Sequence, residues 1–361
     1  MAGPLTGVRI IEMGGIGPGP FCGMLLADHG AEVIRVERPG RSFGPTYTLA
    51  RSRTLVTLDL KQSDDVATLK ALAKTADGLI EVYRPGTMER LGLGPDVLHA
   101  DNPRLVYGRM TGWGQTGPYA PWAGHDMNYI ALSGALAAIG GADKPSPPLP
   151  LVGDFGGGGM MLAFAMSAAL LHAQKTGEGQ VIDCAMTEGA GLLMTALYGL
   201  HADGYWIDSR ESNLLDGGAH FYAPYKTKDG KFVSLGPIEP QFYAQFLKLL
   251  GIAEDPDFAA QNDRSRWPRL KEKLAAIFIT KTRDEWCAVF EHTDACFAPV
   301  MTMAEAPSHP HSVDRKAFVT VDGVVHPAPA PRYSTSTLEM PRAPVFVDAR
   351  TLLDKKTNAG R

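Results

Sequence analysis

Val8-Arg9-Ile10-Ile11-Glu12-Met13, followed directly by Gly14-Gly15-Ile16-Gly17-Pro18-Gly19, decides the fold of this chain. Residues 8–13 read as a short buried strand, and the six residues after them as a glycine- and proline-rich turn. Residues 21–29 then read as a helix and 32–36 as a second strand. Strand, helix and strand at this spacing form a βαβ unit, which predicts a parallel sheet with a right-handed crossover. The pattern continues with strands at 55–60, 79–83 and 105–110 and an amphipathic helix at 65–75. Such alternation predicts a doubly wound, Rossmann-like α/β domain. The turn itself is not a GxGxxG fingerprint. Its prolines and its spacing argue against a nicotinamide dinucleotide.

Further along, a proline-rich loop at 144–150 leads into a helix over 158–176, bracketed by Gly159 and Gly177. A strand at 180–184 and a long helix at 187–201 follow. Composition then shifts, and 201–224 reads as a polar linker. Residues 225–235 predict a hairpin turning at Lys228-Asp229-Gly230, with helices at 241–250 and 269–280. Residues 225–310 therefore read as a smaller α+β domain. Pro327-Ala328-Pro329-Ala330-Pro331 is a stiff extended stretch that carries the chain onward.

The 361 residues carry a net charge of −4, with 45% hydrophobic and 20% charged residues. That balance gives no electrostatic case for nucleic acid or an anionic membrane as the main partner. Cys22, Cys184, Cys287 and Cys296 form no CxxC pair, so reduced thiols in a cytoplasmic enzyme are expected, with no metal or disulfide framework. The N-terminus lacks the pattern of a signal peptide, and the C-terminus carries no peroxisomal address. The longest apolar run, residues 160–171, is short of the roughly 20 residues of a membrane span.

Four groups of residues offer chemistry. Asp154 precedes four glycines (Gly156 to Gly159) at a predicted helix start, where the dipole favours negative charge and glycines admit a ligand close to the backbone. An aspartate there serves equally as a helix N-cap. His125 lies in Gly124-His125-Asp126-Met127-Asn128, and either acts as a base or is an ordinary hydrogen-bonded histidine. Glu239, in Gly236-Pro237-Ile238-Glu239-Pro240, is held between prolines and either orients His125 or is a loop carboxylate. Arg35, Arg38, Arg51, Arg53, Arg84, Arg90 and Arg109 suit phosphate recognition, or else are solvated surface charges. A histidine and an aspartate together supply two bases of different type, as inversion at carbon requires.

The ordered set of motifs resembles the family III CoA-transferase superfamily, and within it the α-methylacyl-CoA racemases of mycobacterial type. The matching stretches include Gly7-Val8-Arg9-Ile10-Ile11-Glu12, Glu81-Val82-Tyr83-Arg84-Pro85-Gly86, Met110-Thr111-Gly112-Trp113-Gly114, Gly124-His125-Asp126, Leu151-Val152-Gly153-Asp154-Phe155-Gly156 and Ile238-Glu239-Pro240-Gln241-Phe242-Tyr243. The resemblance implies a large CoA-binding domain built from residues 1–200 and 320–361, with a return linker at 311–319 behind the small domain. It also implies an interlocked homodimer whose active sites lie between the large domain of one chain and the small domain of the other.

The resemblance further implies roles. His125 and Asp154 match the acid/base pair, and Glu239 the glutamate that supports the histidine from the partner subunit. Tyr222 falls where a tyrosine contacts the aspartate. Ile16, Arg38, Tyr83, Arg84 and Arg90 fall in the CoA-binding segments, and Asp126 in the substrate site. The implied reaction is interconversion of (2R)- and (2S)-2-methylacyl-CoA through an enolate, with hydrogen bonds from the Asp154 amide region on the enolate oxygen. This is an isomerase of branched-chain lipid metabolism, without metal or cofactor beyond the CoA of the substrate. The other implied activity is CoA transfer, with Asp154 as the nucleophile. Pro150 stands where the racemase pattern carries asparagine, which implies that Asp154 is tuned by other neighbours.

Overall fold

The computed structural model describes residues 3–41 and 47–353. The terminal residues read above for a signal peptide and a peroxisomal address lie partly or wholly outside them. Two compact units are present. The first comprises Met1–Ala135, Pro148–Met194 and Pro310–Arg361, and the second Leu136–Pro147 and Thr195–His309.

The first unit is built on six strands, β1 (Arg9–Met13), β2 (Glu32–Glu37), β3 (Thr54–Thr57), β4 (Gly78–Glu81), β5 (Val106–Thr111) and β6 (Val181–Ala185). A short edge strand, Val345–Phe346, adds to β3 from the far end of the chain. The order is edge strand, β3, β2, β1, β4, β5, β6, and every pair is parallel. This is the strand order of a doubly wound sheet, with its switch point between β1 and β4, where ligands bind beyond the strand ends. Helices cover both faces. One face buries Leu69, Leu72, Met88 and Leu98 against Ile11, Ile34 and Leu79. The other buries Cys22, Leu26, Leu162 and Met166 against Ile10, Val33 and Val106.

A strand buried on both faces should be apolar throughout, yet β1 and β2 carry buried charge. Glu12 and Arg35 are fully buried, and Arg53 is 2% exposed. Arg35 Nη1 pairs with Glu12 Oε1, and Arg53 Nε with Glu12 Oε2 at 3.1 Å. Arg35 Nε also meets Glu37 Oε1 at 2.5 Å. Other guanidinium nitrogens hold backbone carbonyls: Arg35 Nη2 donates to Gly15 in the turn after β1 at 2.8 Å, Arg53 Nη2 to Pro20 at the start of the next helix at 2.6 Å, and Arg53 Nη1 to Arg51 at 2.8 Å. Arg51 pairs with Asp28, and Arg109 with Glu81 and Glu89. Arg35, Arg51, Arg53 and Arg109 are thus neither phosphate ligands nor solvated charges. Each is spent inside the protein, because a charge buried at this depth persists only when paired.

The second unit has an antiparallel sheet of Pro224–Lys226, Phe232–Leu235 and Phe297–Val300. Helices Pro240–Leu250, Trp267–Phe278 and Arg283–Phe290 pack on it through an aromatic core of Phe246, Phe258, Phe278, Trp286 and Phe290. The hairpin turns at Gly230, whose φ of 78° suits glycine. The expected linker at 201–224 is instead part of this unit. Ala219, Phe221 and Ala223 are buried in its core, and Asn213 is 1% exposed, bonded to the carbonyls of Ile207 and Ser209. A polar segment read as a linker because side-chain hydrogen bonds, rather than apolar periodicity, organise it. The unit also begins earlier than expected, at Thr195, and recruits Leu136–Pro147.

Glu12→Gln keeps the shape of the side chain and removes the charge between two buried guanidinium groups. Breaking a buried pair from one side costs about 3–5 kcal/mol. The variant is expected to unfold at correspondingly lower urea, measured by circular dichroism.

Candidate active site

Asp154 sits where three local structures meet. Residues Leu149–Leu151 form a 3-10 turn, Val152–Met160 a π-helical segment and Met161–Thr176 a regular α-helix. π-helical turns are rare and concentrate at functional sites. The glycines after Asp154 explain how this one is accommodated. A Cβ on Gly157 would lie 2.5 Å from the Ala190 nitrogen, and one on Gly159 would lie 2.6 Å from the Pro18 carbonyl oxygen. They let the helices Met186–Leu193 and Pro18–Asp28 pack against the segment, so their role is close packing rather than admission of a ligand.

The turn after β1 closes the other side. Gly17 has φ 67° and ψ −119°, a conformation L side chains rarely adopt. A Cβ there would lie 2.6 Å from Asp154 Oδ2. The carboxyl therefore rests against bare backbone. Its own amide donates to Asp126 Oδ1 at 2.6 Å, which corrects the expectation that this amide is free for a developing oxyanion. Burial pushes the Asp154 carboxyl up to about 6, the Asp126 carboxylate adds to the rise, and His125 opposes it. Pro150, inside the 3-10 turn, has no side-chain donor to offer Asp154.

His125 is the N-cap of the helix Asp126–Leu132, with extended backbone (φ −134°, ψ 171°). Its amide donates to Asn128 Oδ1 at 3.0 Å, and its carbonyl accepts from the Asn128 amide at 2.7 Å. The backbone is thus anchored by Asn128 while the exposed imidazole stays available.

His125 and Asp154 line one cavity of about 440 Å³ at the sheet switch point. Ile16, Tyr83 and Arg84 line it too, from the loops after β1 and β4. Ile16 is 63% exposed, an apolar side chain displayed on a rigid turn. Asp126 lies behind Asp154. Arg38 lies in a separate surface depression with Pro39, Gly40 and Arg41, and Arg90 is exposed, donating to Thr87 Oγ1 at 2.9 Å.

Glu239 and Tyr222 belong to the second unit. Glu239 is exposed at the N-cap of Pro240–Leu250, and Tyr222 is half-buried beside Gly236. The structure thus gathers His125, Asp154, Ile16, Tyr83 and Arg84 on one cavity and leaves Glu239 and Tyr222 on another unit. The cavity also includes Trp113, Trp122 and Tyr129, to which sequence reasoning gave no role. The signal was available: Gly112-Trp113-Gly114 lies in a quoted motif, and Tyr129 falls one helical turn after His125.

Residues 5–350 match the model of CoA-transferase family III. The chain is 48% identical over 328 residues to the alpha-methylacyl-CoA racemase of Mus musculus, covering 91% of this chain and 85% of that protein. It is 45% identical over 329 residues to the Homo sapiens protein of the same name, covering 91% and 86%. Among solved structures, a CAIB/BAIF family protein from Brucella suis matches with a TM-score of 0.83 at 25% identity, over 98% of this chain and 100% of that one. The family match over nearly all of its length and the likeness to these relatives agree: this chain belongs to CoA-transferase family III.

Proposed function

We propose that this protein interconverts (2R)- and (2S)-2-methylacyl-CoA thioesters by two-base proton transfer. One observation carries the reading: a histidine and an aspartate face one cavity, and the aspartate is held near neutrality, at about 6. Its similarity to proteins named alpha-methylacyl-CoA racemase supports the same reaction.

The thioester acidifies the α-proton, so a weak base suffices to remove it. His125 takes the proton from the 2S face and Asp154, protonated, returns one on the 2R face. The reverse reaction exchanges the roles. With a pKa of about 6, roughly one Asp154 carboxyl in ten holds a proton at pH 7, against fewer than one in a thousand for an ordinary aspartate. Raised acidity range and bare-backbone seating therefore serve one end, an aspartate that is both acid and base. The Asp154 amide is committed to Asp126, so the donor to the enolate oxygen is the first-turn amide of the helix that follows His125. Arg84 with Arg38 and Arg90 holds the CoA phosphates, and Ile16 and Tyr83 the adenine. The CoA of the substrate is the only cofactor in this scheme, and the enzyme is cytoplasmic.

The same reading makes the protein a homodimer, in which Glu239 of the partner subunit orients His125 and Tyr222 of the partner subunit reaches Asp154. An uncovered apolar face supports it. Met160, Phe164 and Leu171 are 53%, 72% and 51% exposed at helical spacing on one long helix. Leu149–Thr176 as a whole is long and apolar enough to cross a membrane by length and composition, longer than the run counted from sequence. Its other face is packed in the core through Leu162, Ala163, Met166, Ala169 and Ala173, which favours a second copy over lipid as its cover.

In D₂O, each enantiomer is expected to lose its α-proton signal and yield its epimer without any acceptor acid. His125→Ala and Asp154→Asn should each lower inversion about 10²–10⁴-fold. Exchange that survives intact in both variants would overturn the two-base reading, and CoA transfer to an added carboxylic acid in place of exchange would assign Asp154 as a nucleophile instead.

The pair works while it holds one proton. Below about pH 6 Asp154 is mostly protonated, so removal of the 2R α-proton, which needs its carboxylate, should slow. Asp126→Asn removes a neighbouring charge that raises Asp154, so the acid limb should move to lower pH in rate profiles.

Co-expression of His125→Ala with Glu239→Ala tests the shared site. Mixed dimers contain one intact site, so up to about a quarter of wild-type activity should return. No return of activity from mixed dimers would place the pair within a single chain.

A further inference from the structure

Tyr129 is one helical turn beyond His125, and its side chain folds back beneath the loop that carries the histidine. It is 7% exposed. Its Oη donates to the carbonyl oxygen of Gly124, the residue immediately before His125. The ring stands edge-on to Trp113, centroids 4.8 Å apart at 84°. Gly112 and Gly124 leave room for it. A Cβ on Gly124 would lie 2.6 Å from Tyr129 Cε1 and 2.9 Å from Trp113 Cζ2, and a Cβ on Gly112 would overlap the ring. Both Tyr129 and Trp113 line the cavity that holds His125 and Asp154. Burial, with the Asp154 carboxylate adding to it, pushes the phenol up from its usual range, so the hydroxyl remains a donor and is not itself the acid.

We propose that Tyr129 is a positioning residue for His125: its hydroxyl, bonded to the Gly124 carbonyl, fixes the loop that aims the imidazole at the α-carbon. The inference rests on the racemase reading above. The His125 backbone is otherwise held from the helix side, by the capping bonds to Asn128 and by the Tyr129 amide, which donates to its carbonyl at 3.3 Å. The Gly124 bond sets it from the loop side. Asp154 is held by separate contacts, with Asp126 and Gly17. Loss of the Tyr129 hydroxyl should therefore displace one base and leave the other in place.

This asymmetry is measurable. In D₂O a displaced His125 slows removal of the 2S α-proton. Asp154 still removes the 2R α-proton and returns a deuteron to the same face. Tyr129→Phe is expected to lower 2S exchange and inversion about tenfold or more, with 2R exchange retained, KM little changed and the thermal midpoint close to wild type. Gly124→Ala, which pushes the loop off the same ring, should reproduce the imbalance if Tyr129→Phe folds poorly. Equal loss of both exchanges, preferential loss of 2R exchange, or wild-type rates in both would overturn the assignment. Absence of exchange in the wild type overturns the racemase reading itself, and this inference with it.

Discussion

Glu12 lies near the C-terminal end of β1 with its carboxylate between the guanidinium groups of Arg35 and Arg53, all three out of water. Paired charges at this depth gain little net stability, because desolvation offsets most of their attraction. What they do provide is geometry. Each guanidinium has donors left over, and these hold the carbonyls of Gly15 and Pro20 on either side of Gly17. The turn after β1 is thereby fixed at both ends from inside the sheet. That turn carries Ile16 into the cavity and presents the bare backbone of Gly17 to Asp154.

Asp154 and His125 sit in opposite surroundings. Asp154 is half-buried, beside another carboxylate, on a segment whose glycines let two helices close in. Its environment disfavours charge, so the proton is held more tightly. His125 is exposed at a helix N-terminus, with its backbone pinned and its ring facing the cavity. One side chain of the proposed pair thus sits in a packed wall and the other on an exposed loop end. Beneath that loop, Tyr129 and Trp113 fill the volume that Gly112 and Gly124 leave open.

Much of this was legible in the chain. The apolar runs separated by Gly/Pro turns specify parallel strands, because a strand covered on both faces needs near-continuous apolar residues. His125 and Asp154 stood out through their glycine neighbours, although those after Asp154 do not admit a ligand as expected. They serve helix packing around Asp154 and aromatic packing around His125. The arginines were misread for a related reason. Composition counts charges, but only the fold shows that Arg35, Arg51, Arg53 and Arg109 each find a carboxylate inside the protein. Residues 201–224 look like a linker because hydrogen bonding to Asn213 leaves no periodic trace.

By itself, then, the sequence determined the βαβ order, the parallel sheet and the match to CoA-transferase family III. These follow from local patterns: apolar periodicity, turn residues and short motifs. Tertiary structure alone decided which charges pair in the core, that the Asp154 amide is already bonded, and that Asp154 titrates near 6. Pairing, burial and proton affinity depend on groups far apart in the chain. Asp126 and Asp154 are 28 residues apart and Gly17 lies more distant still, so no local pattern encodes how close they come.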